Sequence, residues 1–142
     1  MTAEARTLNV GAEVEKARHA LAVADQLLAI GLWDDAMSRL YYAAFHLASA
    51  ALLVHGIEAQ SHRALLSLVS LHLVKSGHVP AACARELTEL FGLRNQADYD
   101  RHFATDAESA GIYRTKAAHV LQELDSVLVK GGHESMLPRV CA

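Results

Sequence analysis

The 142 residues carry 13 Lys and Arg against 16 Asp and Glu, a net charge of -3, with 52% hydrophobic and 20% charged residues. That length fits one domain with a real core. The acidic balance argues against non-specific binding to long nucleic acid, which needs a basic footprint, while leaving a local groove lined by arginines open.

The N-terminus, Met1 to Arg6, lacks the hydrophobic core of a signal peptide. No strand signal or internal repeat appears, and the pattern is helical throughout. A first helix is predicted from about Glu13 to Ile30, with Val14, Ala17, Leu21, Ala24 and Leu28 as its apolar stripe and Gly31 as its stop. A second begins near Trp33-Asp34-Asp35, whose carboxylates suit a helix N-terminus, and ends at Gly56. It is apolar nearly all round after Arg39, which marks the helix that others wrap. Its charge-free run, Leu40 to Ile57, contains His46, Ser49 and His55 and is too short and polar for a membrane span.

Ser61 caps a third predicted helix running to about Ser76, with Gly77 as its stop. Pro80 fits the first turn of a fourth. Thr105-Asp106-Ala107-Glu108 reads as a capping box opening the fifth, whose buried stripe is Ile112, Ala117, Val120, Leu121, Leu124 and Leu128 and whose end is Gly131-Gly132. The expected fold is all-α, an up-and-down antiparallel bundle of four to five helices over residues 1–132. Residues 133–142, with Pro138 inside, are expected to be a flexible or partner-dependent tail. Cys83 and Cys141 make no disulfide framework, so a reduced cytoplasmic protein is the simpler expectation. The apolar excess favours a homodimer or a partner protein.

Chemistry concentrates in Leu93-Arg94-Asn95-Gln96-Ala97-Asp98-Tyr99-Asp100. Ala84, Leu87 and Phe91 recur at helical steps, and Arg94 and Asp98 continue that inward row. A buried guanidinium is costly unless paired, and Asp98 can pair with it one turn on. Such a pair is rarely kept for stability alone, because apolar replacements are often neutral or better. It either contacts an anion or pins a helix end. As a site, Arg94 offers parallel donors to a phosphodiester, Asp98 orients it, and Asn95 helps by hydrogen bonding. Tyr99 can donate a hydrogen bond, and His102 is a better proton carrier if the helix persists past Asp98. Arg39, Tyr42 and His46 share one face of the second helix and could form the opposite, substrate-binding wall, or be core residues with polar tips.

Together with Ser38-Arg39-Leu40-Tyr41-Tyr42-Ala43-Ala44-Phe45-His46, this segment resembles the HEPN family of small all-helical proteins. In particular it is similar to stand-alone HEPN proteins paired with a minimal nucleotidyltransferase. The resemblance implies a homodimer in a prokaryotic toxin–antitoxin system, with metal-independent cleavage of single-stranded RNA. The family motif is an arginine, often followed by asparagine, with a histidine a short distance beyond. Arg94 and Asn95 match; the histidine positions hold Tyr99, Asp100 and Arg101, and His102 arrives one residue late. The alternative implied is a catalytically silent, nucleotide-binding partner of the nucleotidyltransferase, with Tyr99 as a hydroxyl acceptor. Nine histidines invite a metal, but Glu15 with His19 and Glu58 with His62 read as hydrated surface pairs, so neither metal nor cofactor is expected.

Overall fold

The computed structural model of the chain describes residues 1–137 as five α-helices: α1 (Ala3–Ala29), α2 (Trp33–Val54), α3 (His62–Val69), α4 (Ala81–Tyr99) and α5 (Ala107–Lys130). A π-helical turn, Ser70–Val74, extends α3. The described residues contain no strand. Short connections make the helices antiparallel neighbours in an up-and-down bundle. Its axis is α2, which packs against all four other helices. That role follows from its charge-free stretch, where Leu40, Tyr41, Leu47 and Leu52 are each 0% exposed.

α1 begins ten residues before the predicted start at Glu13. The Thr2 hydroxyl caps it by accepting from the Ala5 amide at 3.0 Å, and Val10, one turn before Val14, is buried. Gly31 (φ 77°) and Gly77 (φ 79°) hold the left-handed geometry that ends their helices, as the sequence predicts. Ser61 caps α3 through the Ala64 amide at 3.0 Å. Past Val69 the hydrogen bonding widens, the Lys75 amide donating to the Ser70 carbonyl at 3.1 Å.

Three details of the sequence reading need correction. Pro80 stands just before α4 rather than in its first turn, at ψ 157°. The α5 cap is Asp106, accepting from the Ser109 amide at 2.8 Å, whereas the Thr105 amide donates to Asp34 at 3.1 Å. A shift of one residue removes the reciprocal Glu108 contact of a capping box. Ile112 is 53% exposed, because Ala110 and Ala117 set the inward face two turns apart and Ile112 falls off it.

Beyond Gly132, residues 133–137 lie against α1 and α5. Asp125, buried in α5, accepts from the Ser135 hydroxyl and the Met136 amide, each at 2.6 Å. Arg18 of α1 donates to the Met136 carbonyl at 3.1 Å and the Ser135 carbonyl at 2.7 Å. Pro138 and Cys141 lie outside the described residues. Cys83 is buried in α4, and burial pushes its thiol up to about 12. No helix among the described residues is long and apolar enough to cross a membrane.

Candidate functional site

The inward row of α4 delivers Arg94 to the α2 side of the bundle. Leu87 is fully buried, and Arg94 is only 6% exposed. The guanidinium lies over three rings, its Cζ 5.2 Å from the Tyr41 centroid, 5.5 Å from Tyr42 and 5.5 Å from Phe91. Asp98 is its only carboxylate partner among the described residues, and it is held loosely: Nη1 to Oδ2 is 3.7 Å. A charge-assisted hydrogen bond is roughly 2.7–2.9 Å, so this is attraction without a bond. Asp98 instead accepts from the Ser38 hydroxyl at 2.6 Å. The Arg94 Nε is buried with no hydrogen-bond partner. A donor left so costs about 1–3 kcal/mol, and native structures rarely tolerate one without a ligand or a water.

Beneath the guanidinium, fully buried Tyr41 sits 2.7 Å from His62 Nδ1 through its hydroxyl. Burial raises the phenol well above its ordinary range, against the opposing pull of the Arg94 charge. The phenol therefore keeps its proton, and the His62 tautomer sets which of the two groups donates. The His62 ring packs on Phe45 at 4.4 Å between centroids and stacks with Phe91 at 6.0 Å. This overturns the reading of Glu58 and His62 as a surface pair on one helix: α3 starts only at His62, and the ring turns inward. Glu15 pairs with Arg18 rather than His19.

On α2, Tyr42 is the hub. Arg39 Cζ is 5.9 Å from its centroid, and the His46 ring stacks at 6.5 Å. His46 Nδ1 is 2.7 Å from Glu13 Oε2 of α1. Arg39, Tyr42, His46, Arg94 and Asp98 are thus brought together. Two recesses meet over Arg39 and Tyr42: one of about 500 Å³ that includes Ser38 and Asp98, and one of about 420 Å³ that includes Lys16 and His46. A larger cavity of about 730 Å³, between α1, α5 and residues 133–137, contains none of these five.

The rest of the predicted set diverges. Asn95 is half-buried beside Arg94 and makes no side-chain hydrogen bond among the described residues. Tyr99 is 78% exposed at the last position of α4. His102 does not continue the Asp98 face, because Asp100 leaves the helix at ψ 111° and its carboxylate accepts from the His102 amide at 2.9 Å. That local bond competes with another helical turn and carries His102 into solvent. Ser38, Tyr41, Glu13 and His62 were not singled out as site residues from the sequence. Ser38 and Tyr41 sit one turn apart inside the quoted stretch; Glu13 is 33 residues from His46 and leaves no local signal.

Two histidines, the half-buried His62 and the exposed His55, give the fold a pH dependence. His62 is held below the ordinary imidazole range by burial first, then by Arg94 and His46. His55 is lowered by burial, then by His78, whose ring centroid is 4.4 Å away, and by Arg6 and His72. With depressed folded values, the unfolded chain takes up protons first. Stability is therefore full above the unfolded value, about 6.5, and declines as pH falls through it. The urea midpoint should drop as pH is lowered from about 7.5 to about 5.5, with a shallower slope in the His55→Gln/His62→Gln double variant. Equal slopes in the two proteins would contradict this.

The HEPN domain pattern matches residues 12–127, which take in the α1, α2 and α4 residues of this site. The chain belongs to the HEPN domain family. Curated proteins are similar to it as well. A candidate toxin of Methanocaldococcus jannaschii is 32% identical over 103 residues, 72% of this chain and 77% of its own. A second candidate toxin of that organism is 28% identical over 116 residues, 82% of this chain and 79% of its own. A UPF0332 protein of Gloeobacter violaceus is 35% identical over 86 residues, 61% of this chain and 68% of its own. In this HEPN domain, the Arg94 segment closes α4 and the Tyr41-Tyr42 stretch supplies the rings beneath it.

Proposed function

We propose that this HEPN protein is a toxin-like RNA-cleaving enzyme whose working centre is Arg94. The observation that carries the reading is the guanidinium itself: buried, ringed by aromatic faces, loosely paired at 3.7 Å and left with an unpartnered Nε. Its relatives' designation as candidate toxins agrees with it. The reaction suited to such a group is attack of a ribose 2′-oxygen on the adjacent phosphorus. The P–O5′ bond breaks, leaving a 2′,3′-cyclic phosphate and a 5′-hydroxyl, and the proton lost by the 2′-oxygen is balanced by one delivered to the 5′-oxygen. Arg94 stabilises the extra charge on the phosphorane oxygens, Asp98 orients it, and Asn95 hydrogen-bonds the strand. The protein acts as a homodimer in the cytoplasm, alongside a minimal nucleotidyltransferase. Purified protein should cut single-stranded RNA in excess EDTA and run at twice the chain mass in solution. No cleavage across varied RNAs would refute the enzymatic reading.

One observation favours a second reading. Tyr99 is exposed, and His102 stands off the helix. An accessible phenol suits an acceptor for nucleotidyl transfer in a catalytically silent partner. Co-expression with the nucleotidyltransferase should then add the mass of a nucleotide, and Tyr99→Phe should remove it; an unchanged mass beside an active transferase would reject the acceptor role.

A further inference from the structure

We propose that His62 is the proton acceptor of the Arg94 centre, taking the proton of the attacking ribose 2′-hydroxyl at Nε2. This rests on the RNA-cleaving reading and fills a place that reading leaves open, since attack by the 2′-oxygen needs a base. Neither Tyr99 nor His102 serves, the one in solvent at the end of α4 and the other beyond it. His62 reaches the centre from another helix. The Arg94 guanidinium lies over Tyr41, Tyr42 and Phe91. The His62 ring packs on the same three, at 5.6, 6.2 and 6.0 Å between centroids. A fork for the phosphorane and an imidazole for the proton thus flank one aromatic cluster. His46 shares only Tyr42 with Arg94, and its Nδ1 is committed to Glu13.

The ring is fixed at one nitrogen and open at the other. Nδ1 is 2.7 Å from the Tyr41 hydroxyl, while Nε2 has no protein partner among the described residues and is not sealed from solvent. In the tautomer with its proton on Nδ1, the ring donates to the Tyr41 oxygen and Nε2 carries a lone pair. The groups facing it are Tyr41, Tyr42 and His46 of α2 and Arg94 of α4, and no carboxylate pairs with it among the described residues. Burial first, then Arg94 and His46, hold it below the ordinary imidazole range, so the ring is uncharged at neutral pH. As the 2′-oxygen bonds to phosphorus, its proton passes to Nε2, and the Nδ1 proton stays on the Tyr41 oxygen. The P–O5′ bond breaks with its electron pair on the 5′-oxygen, which takes a proton from water. The imidazolium returns its own proton to the hydroxide so formed, and the sum balances.

The test joins the pH dependence of single-stranded RNA cleavage in EDTA to NMR titration of the His62 ring, in wild type, Arg94→Met and His62→Gln. In wild type, kcat/KM should rise with pH along a limb whose midpoint equals the NMR midpoint of His62 and lies below about 6.5. His62→Gln should lose that limb and fall about 10²–10⁴-fold above it. Arg94→Met should raise the His62 midpoint by removing the neighbouring charge. Cleavage by His62→Gln at the wild-type rate and profile, or a His62 midpoint unmoved in Arg94→Met, would overturn the assignment and leave the Arg94 reading standing. Should His62→Gln fail to fold, wild type alone decides: a kinetic limb apart from the His62 midpoint overturns the assignment equally. Absence of cleavage by wild type removes the reading and this inference with it.

Discussion

Arg94→Met should end RNA cleavage while leaving the domain about as stable as the wild type. Methionine follows the arginine chain as far as Nε and replaces part of the guanidinium packing over Tyr41, Tyr42 and Phe91 with sulfur–aromatic contacts worth about 0.3–1.5 kcal/mol. It removes a buried charge and the unpartnered Nε, relieving about 1–3 kcal/mol. Against this stands the loss of cation–π attraction, roughly 0.5–2 kcal/mol. Asp98 is not stranded by the change: its side chain is 31% exposed and keeps the Ser38 hydrogen bond. The terms leave stability near neutral, as buried ion pairs often do when replaced by apolar groups of similar volume. Activity has no such offset, because removing a group aimed at developing charge costs on the order of 10²–10³ in rate. Arg94→Lys should fall short as well, since an ammonium cannot present a planar fork. Urea unfolding followed by circular dichroism, beside a cleavage assay in EDTA, separates the outcomes. A variant that loses more than about 2 kcal/mol yet still cuts RNA would make Arg94 a structural clamp.

That division between a stable scaffold and a loosely paired cation explains what was legible in the sequence. Helix order, the stops at Gly31 and Gly77, and the central place of α2 were readable because each depends on residues within a turn of one another. The inward placement of Arg94 was readable for the same reason: Leu87 and Phe91 set the row that it continues. The start of α1 was not, because the evidence for it is a Thr2 cap and one buried valine amid exposed residues. His102 was misplaced by a single side-chain bond from Asp100 that stops the helix. The largest omissions are contacts between helices. Glu13 meets His46 across α1 and α2, and His62 meets Tyr41 across α2 and α3. No periodicity within one helix encodes a partner on another.

Substituting glycine by alanine should have opposite signs at two kinds of position. Gly11 lies within α1 and Gly111 within α5; both are exposed, neither has positive φ, and a Cβ at either would meet nothing within 4 Å. Alanine there removes unfolded-state freedom without a clash, worth about 0.5–1 kcal/mol per site. The sites are on different helices and share no partner, so Gly11→Ala/Gly111→Ala should add about 1–2 kcal/mol and raise Tm by a few degrees. Gly131, at the end of α5, is different: a Cβ would lie 2.6 Å from Val54 Cγ1 and 3.3 Å from the Val127 carbonyl oxygen. Gly131→Ala therefore forces α5 from α2 and should cost about 1–3 kcal/mol. Thermal unfolding of the three proteins checks both signs. If the double variant is instead destabilised, an unseen surface covers Gly11 or Gly111, and comparing the solution mass of variant and wild type would show whether that surface is a second copy of the chain.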